Sequence, residues 1–231
     1  MARKVHVENG IIFAERSIGL LVIGFADEND TRTRLRLPKT LLVVQNGKFR
    51  RWYVTDIGTR AFANNKYLEV VEIPTSIQYL KPEAFKNCQN LQAIVPADFD
   101  ITHSISVAKS AFQDCPNLEL VDFGRSISYL CADAFSGCTK LTKFKSSVLD
   151  VAKNAFLGCK LEQLRCGDDC SFHVASIENS EIQELFFLGR LRYAPQKTLR
   201  WIKTSGVKIS CKAGSPLVEL IHEGMEVKVK G

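Results

Sequence analysis

The chain has 231 residues, of which 45% are hydrophobic and 24% charged, with 14 glycines and 7 prolines. That composition excludes a disordered polymer and a collagen-like rod, and the length is ample for a buried core. The formal charge of +6 divides into +5 over residues 1–60 (11 basic, 6 acidic), −5 over 61–185 (11 basic, 16 acidic) and +6 over 186–231 (9 basic, 3 acidic). This distribution argues against the single basic surface of a nucleic-acid binder.

At the start of the chain, Arg3 and Lys4 precede an apolar stretch ending in Gly24-Phe25-Ala26, a loose imitation of a secretory leader. Glu8, Asn9, Glu15 and Arg16 interrupt the apolar region that such a leader needs. The expectation is no signal peptide and a cytoplasmic location, with the cell surface or secretion as the alternative. The Asn29-Asp30-Thr31 sequon then has no functional meaning. The longest apolar run, Ile18 to Ala26, covers nine residues against the ~20 a membrane helix requires, so no membrane span is expected.

From residue 53 a repeat sets in. Ala-Phe recurs at Ala61-Phe62, Ala84-Phe85, Ala111-Phe112, Ala134-Phe135 and Ala155-Phe156, at spacings of 23, 27, 23 and 21 residues. Three residues beyond each Phe stand Asn65, Cys88, Cys115, Cys138 and Cys159, followed by Leu68, Leu91, Leu118, Leu141 and, one residue early, Leu161. From these leucines an L-x-x-φ-x-φ pattern runs on, as in Leu68-Val71-Ile73 and Leu118-Val121-Phe123, and Ile182-Leu185-Phe187 reads as a sixth copy whose Ala-Phe has decayed. A second apolar pair precedes each Ala-Phe, for example Ile77 and Leu80, or Ile127 and Leu130. The third coil departs, with Ser104 in register and Ile105 one place off, and it carries four extra residues within Pro96 to Ser104. Periods of 21–27 residues fall in the leucine-rich-repeat range, in which coils that cannot bury their own apolar edge stack and share a core. The recurring cysteines then form a ladder of small buried thiols, not disulfides.

V-T-x-I-G-x-x-A-F (Val54 to Phe62), A-F-x-x-C-x-x-L and I-P-x-S-I (Ile73 to Ile77) together resemble the BspA-type leucine-rich repeat family over about residues 50–190. The resemblance implies a leucine-rich-repeat solenoid: a β-rich right-handed coil of about six repeats, a β-rich N-terminal cap and a short C-terminal helix cap. It also implies adhesion to host or neighbouring proteins, or an intracellular scaffold where a leader is absent. Residues 1–52 are assigned to the N-terminal β cap, 53–212 to the repeats and 213–231 to a C-terminal helix-strand cap, all in one continuous domain. In the first cap, Ile11 to Phe25 and Arg32 to Leu37 are expected strands. In the last, Ser215 is a good N-cap, Pro216 suits the first helical position, Leu217, Leu220 and Ile221 share a face, and Gly224 follows the end. Glu226 to Lys230 alternates and predicts a final strand.

No catalytic or cofactor-binding residues are expected, and His6, His103, His173 and His222 lie in no motif. Arg32, Arg34 and Arg36 alternate and would share one strand face. With Lys48, Arg50 and Arg51 they form either a solvated surface or a patch for an acidic partner. The favoured function is a non-catalytic scaffold that binds a protein through strand positions pointing away from the core: Glu69, Glu72, Glu119, Asp122, Lys143, Lys145, Glu162 and Arg165. One row of that face, Glu72, Val95, Asp122, Lys145, Arg165 and Phe186, changes from acidic to basic and would fix the polarity of an extended partner. The alternatives are a metal-binding or enzyme-accessory protein centred on Cys166 to His173, and nucleic-acid binding through the basic ends. No metal is assigned, since Cys159 and Cys166 are already explained as inward repeat positions and Cys170 with His173 falls short of a zinc ligand set.

Overall fold

The computed structural model describes residues 4–45, 47–99, 103–217 and 224–230. The chain opens with β1 (Val5–Glu8), β2 (Ile11–Arg16) and β3 (Gly19–Phe25), an antiparallel meander, then β4 (Arg34–Arg36) and a long hairpin of β5 (Thr40–Gln45) and β6 (Lys48–Ile57). Coils follow in which one strand lies in each of two sheets: β7 (Val70–Ile73) with β8 (Tyr79–Leu80), β9 (Ala93–Pro96) with β10 (Ile105–Val107), β11 (Leu120–Val121) with β12 (Ile127–Leu130), and β13 (Lys143–Phe144) with β14 (Val148–Val151). The array continues through β15 (Lys160–Leu161), β16 (Leu164–Phe172), β17 (Glu181–Ile182), β18 (Glu184–Phe187) and β19 (Leu191–Tyr193). It ends with a helix, α1 (Gln196–Thr204), and strands β20 (Lys208–Lys212) and β21 (Lys228–Lys230). The result is a β-solenoid of about seven turns.

Strands of successive coils pair in parallel, so period-2 alternation turns every second side chain inward. Val71, Ile94, Val121 and Phe144 align as one buried row of the smaller sheet. In the third coil, a bulge between Ile105 and Ser106 sets Ile105 opposite Ile127 and Val107 opposite Leu130. The extra residue is absorbed there, which lets I-x-V fill the two inward places that I-x-x-L fills elsewhere. In the fifth coil β16 runs unbroken as one long strand of the larger sheet, pairing with β18 over Leu164 to Cys166, with β14 at Cys166 and again at Ser171 and Phe172, and with β19 at Cys170 and Ser171.

Each Ala-Phe corner follows one backbone rule. The residue before Ala and the second residue after Phe have positive φ: Arg60 and Asn64, Glu83 and Asn87, Ser110 and Asp114, Asp133 and Gly137, Asn154 and Gly158. Successive N–H groups therefore alternate between closing the turn and reaching the next coil. Thus Ala61 N bonds Gly58 O at 3.2 Å, while Phe62 N donates to Ala84 O at 2.8 Å. Left-handed positions favour Asn, Asp and Gly, and the residue two after Phe is one of these three in all five corners.

The rings stack along the array. Phe62, Phe85, Phe112, Phe135 and Phe156 have successive centroid separations of 5.2, 5.2, 5.0 and 5.9 Å, with interplanar angles of 18° or less. Beside them Cys88, Cys115, Cys138 and Cys159 are fully buried, each Sγ 3.1–3.2 Å from the Phe carbonyl of an earlier coil. All eight cysteines are free thiols. Burial pushes Cys138 well above the ordinary thiol range and takes Cys159 to about 12, so neither supplies a thiolate near neutral pH. In the first coil, Asn65 replaces the thiol, and its Oδ1 accepts from the N–H groups of Tyr67 and Leu68 at 2.9 and 2.7 Å. In the sixth, Ser176-Ile177 stands where Ala-Phe has decayed, with both residues buried.

The helix α1, which periodicity did not suggest, covers the late coils with Thr198, Leu199 and Ile202. The helix expected after Pro216, with Leu220 and Ile221, lies outside the described residues. The final strand is present as β21, parallel to β20. Among the described residues no helix is long and apolar enough to cross a membrane.

Candidate functional site

The outward positions of the smaller sheet form three rows. Backbone bonds Gln92 N to Glu69 O, Glu119 N to Gln92 O, Thr142 N to Glu119 O and Glu162 N to Thr142 O, all 2.8–3.3 Å, place Glu69, Glu119 and Glu162 along one line. A second row runs Arg34, Val70, Ala93, Leu120, Lys143, and a third Arg36, Glu72, Val95, Asp122, Lys145. Lys143, Lys145, Glu119 and Glu162 are exposed. Glu69 and Arg165 are half-buried.

Two of the expected charges are already engaged. Glu72 is only 12% exposed, with Arg34 Nε at 2.7 Å and Arg36 Nη1 at 3.6 Å. Asp122 Oδ1 accepts the Gly124 N–H at 2.8 Å. The row expected to run unbroken from Glu72 to Phe186 falls into two parts. Lys145 follows β13, the last strand of the smaller sheet, whereas Arg165 pairs in register with Phe186 inside the larger one. There the Arg165 guanidinium lies 5.7 Å from the Phe186 ring centroid, and the Lys230 ammonium lies 5.6 Å from it.

Arg32 does not join Arg34 and Arg36 on the strand. Its guanidinium turns back to Asp30 at 2.6 Å, donates to Asn9 O at 2.9 Å and stacks 4.9 Å from the Phe25 ring centroid. The short Asp30–Arg32 loop bond wins over strand alternation because β4 begins only at Arg34. Arg34 and Arg36 are tied to Glu72, and Lys48, Arg50 and Arg51 sit apart on the β5–β6 hairpin. The N-terminal meander and β20–β21 occupy opposite ends of the larger sheet, so the basic ends do not merge into one face.

The Cys166 to His173 segment does not converge on a metal. Cys166 and Cys170 are buried, while His173 is exposed and holds Asp150 Oδ1 at 2.8 Å. Among the described residues no group of three or more His, Cys, Asp and Glu is placed to hold an ion.

Glu184, one of the outward strand positions of the sixth copy, organises the end of the array. Gln163 Nε2 donates to it at 2.6 Å, and Ser210 Oγ and Lys230 Nζ also bond to it. Burial by itself would raise this carboxyl, but the Lys230, Ser210 and Gln163 bonds outweigh it and bring the pKa down from 4.5 to about 2. A depressed folded value contributes stability that is complete above the unfolded value of 4.5 and fades as pH falls through about 2. Glu184→Gln is therefore expected to melt below the parent at neutral pH and to converge with it as the pH approaches about 2. A melting difference unchanged across that range contradicts the assignment.

Residues 55–183 match the BspA type leucine rich repeat region in six copies, more than half of the sequence. The chain belongs to the BspA-type leucine-rich repeat family. No curated protein is similar enough in sequence to be matched to this chain. Among solved structures, a leucine rich cell surface protein from Faecalibacterium prausnitzii superposes with a TM-score of 0.67 at 17% identity, covering 94% of this chain and 56% of that one. A T. pallidum leucine rich repeat protein gives a TM-score of 0.52 at 18% identity, covering 89% and 97%. The chain thus spans little more than half the length of the F. prausnitzii protein, and both likenesses are of the fold.

Proposed function

We propose that this BspA-type chain is a non-catalytic protein-interaction scaffold that seats an extended partner across the outward face of the smaller sheet. The observation that carries this reading is the register. The acidic row of Glu69, Glu119 and Glu162 runs beside exposed Lys143 and Lys145, and none of the five makes an ion pair among the described residues. Charges fixed at strand spacing but left without partners favour a complementary chain lying across them, and the order of signs orients it. Glu72 and Asp122 support that face from its margin, and Arg165 with Phe186 offers a cation and ring at the next sheet. The surface named for the F. prausnitzii neighbour favours display outside the cell over the cytoplasm, and buried thiols suit either place.

Reversing Lys143, Lys145 and Arg165 to Glu leaves the inward rows untouched. The triple variant is expected to melt as the parent does and to lose most of the protein captured by the parent in a pull-down. Undiminished capture moves the interaction face elsewhere.

A further inference from the structure

We propose that the outward face of the β5–β6 hairpin docks onto an anionic lipid surface, with its apolar side chains inserting shallowly, Arg51 at the headgroups, and the exposed Lys48 and Arg50 of the other side adding attraction over a longer range. Strand pairing sorts the hairpin into two faces. Leu41 opposes Trp52 and Val43 opposes Arg50 on one face, while Leu42 opposes Arg51 and Val44 opposes Phe49 on the other. Leu41 and Val43 belong to the hydrophobic core and Trp52 packs on it, which anchors the ribbon and presents its reverse face. On that reverse face Leu42 is 64%, Val44 58% and Phe49 77% exposed. Exposed Tyr53 continues the face toward the root, where it lines a cavity with Ile18, itself exposed.

The charge on the hairpin has one sign. Residues 39–55 contain Lys39, Lys48, Arg50 and Arg51 and no acidic residue. Lys39 is held by Asp98 at 3.1 Å, whereas Lys48, Arg50 and Arg51 make no ion pair among the described residues; Arg51 shares the face of Leu42, and Lys48 and Arg50 lie on the Val43 side of the ribbon. A soluble acidic protein would match the cations but leave the apolar face unexplained. A stable protein interface also draws on roughly 20–30 residues a side, far more than one face of a two-stranded ribbon offers. A bilayer needs no such footprint. Apolar side chains gain by leaving water, the long stem of Arg51 lets its charge rise to the phosphates, and Tyr53 is of a type that favours the interface.

The test is co-sedimentation of the full chain with equimolar phosphatidylglycerol–phosphatidylcholine vesicles, with phosphatidylcholine vesicles and soluble polyglutamate as comparisons. The chain is expected to sediment with the anionic vesicles, to release in high salt and to ignore the neutral ones. Leu42→Ser with Phe49→Ser, and separately Arg50→Glu with Arg51→Glu, should each lower the partition by about tenfold at unchanged melting temperature. Val44→Ser provides a milder version should the first pair alter folding. A parent chain that stays in the supernatant overturns the proposal. So does anionic-vesicle binding that survives loss of Leu42, Val44 and Phe49 side chains, or polyglutamate binding as tight as vesicle binding, either of which assigns the hairpin to an acidic polymer.

Discussion

Phe112→Ala is expected to lower the unfolding free energy by about 3–5 kcal/mol, measured as a shift in denaturant midpoint. The ring is fully buried and stands in the middle of the stack, 5.2 Å from Phe85 at 1° and 5.0 Å from Phe135 at 3°, with Phe123 at 6.4 Å. Truncation leaves a cavity on both sides of one coil. Each lost ring pair adds about 0.5–1.5 kcal/mol beyond the transfer term. In a solenoid each coil meets only its neighbours, so weakening two adjoining interfaces at once also loosens the coupling between the halves of the array. The variant should therefore show a broader transition as well as an earlier one. A loss under about 1 kcal/mol would mean that the corner collapses around the missing ring, and that the stack is not the spine of the fold.

The spine was legible in the sequence because its residues are chemically unlike their surroundings and come round once per coil. One small residue, one ring and one thiol at fixed separations leave little freedom of register, and Phe85, Cys88 and Leu91 are all buried in one coil, as are Phe135, Cys138 and Leu141 three to six residues apart in another. The positive-φ rule at the corners was equally present, in Asn64, Asn87, Asp114, Gly137 and Gly158, but three residue types share that conformation and blur the repeat. Helix α1 was hidden for a different reason. Pro195 precedes it without a side-chain cap, its first turn has no acidic residue, and only Leu199 and Ile202 mark an apolar face, so neither the start nor the periodicity stands out. At the candidate surface, alternation told which side chains face outward. It did not tell that Glu72 is held by Arg34 from 38 residues away, because pairing between coils depends on which coils become neighbours. Nor did it show that Arg165 would lie in the larger sheet, which follows from Leu164–Phe172 forming one unbroken strand there.

Arg125→Ala is expected to cost about 3 kcal/mol, since it removes charge-assisted bonds and strands their buried acceptors. Sequence gives no hint of this, as Gly124-Arg125-Ser126 reads like an ordinary surface turn. In the structure Arg125 is only 6% exposed, and its two terminal nitrogens donate to the carbonyls of Thr75 and Ile77, about fifty residues earlier in the chain. The guanidinium of the fourth coil thus spans the third to reach the second. The coil it spans is the longest of the array, at 27 residues between Ala84 and Ala111. Buried carbonyls need donors, and among the described residues this guanidinium is the donor to both. A planar fork can serve two carbonyls together, whereas an ammonium on a flexible stem is a single point. Arg125→Lys is therefore expected to recover part of the loss and not all of it. Hydrogen exchange should rise first at Ile105 and Ser106, where the third coil re-enters the sheet beside Ser126 and Gln78, before it rises at the Phe112 corner. Full rescue by Lys, or exchange that rises uniformly across the array, would show that Arg125 contributes charge alone and does not clasp the second coil to the fourth.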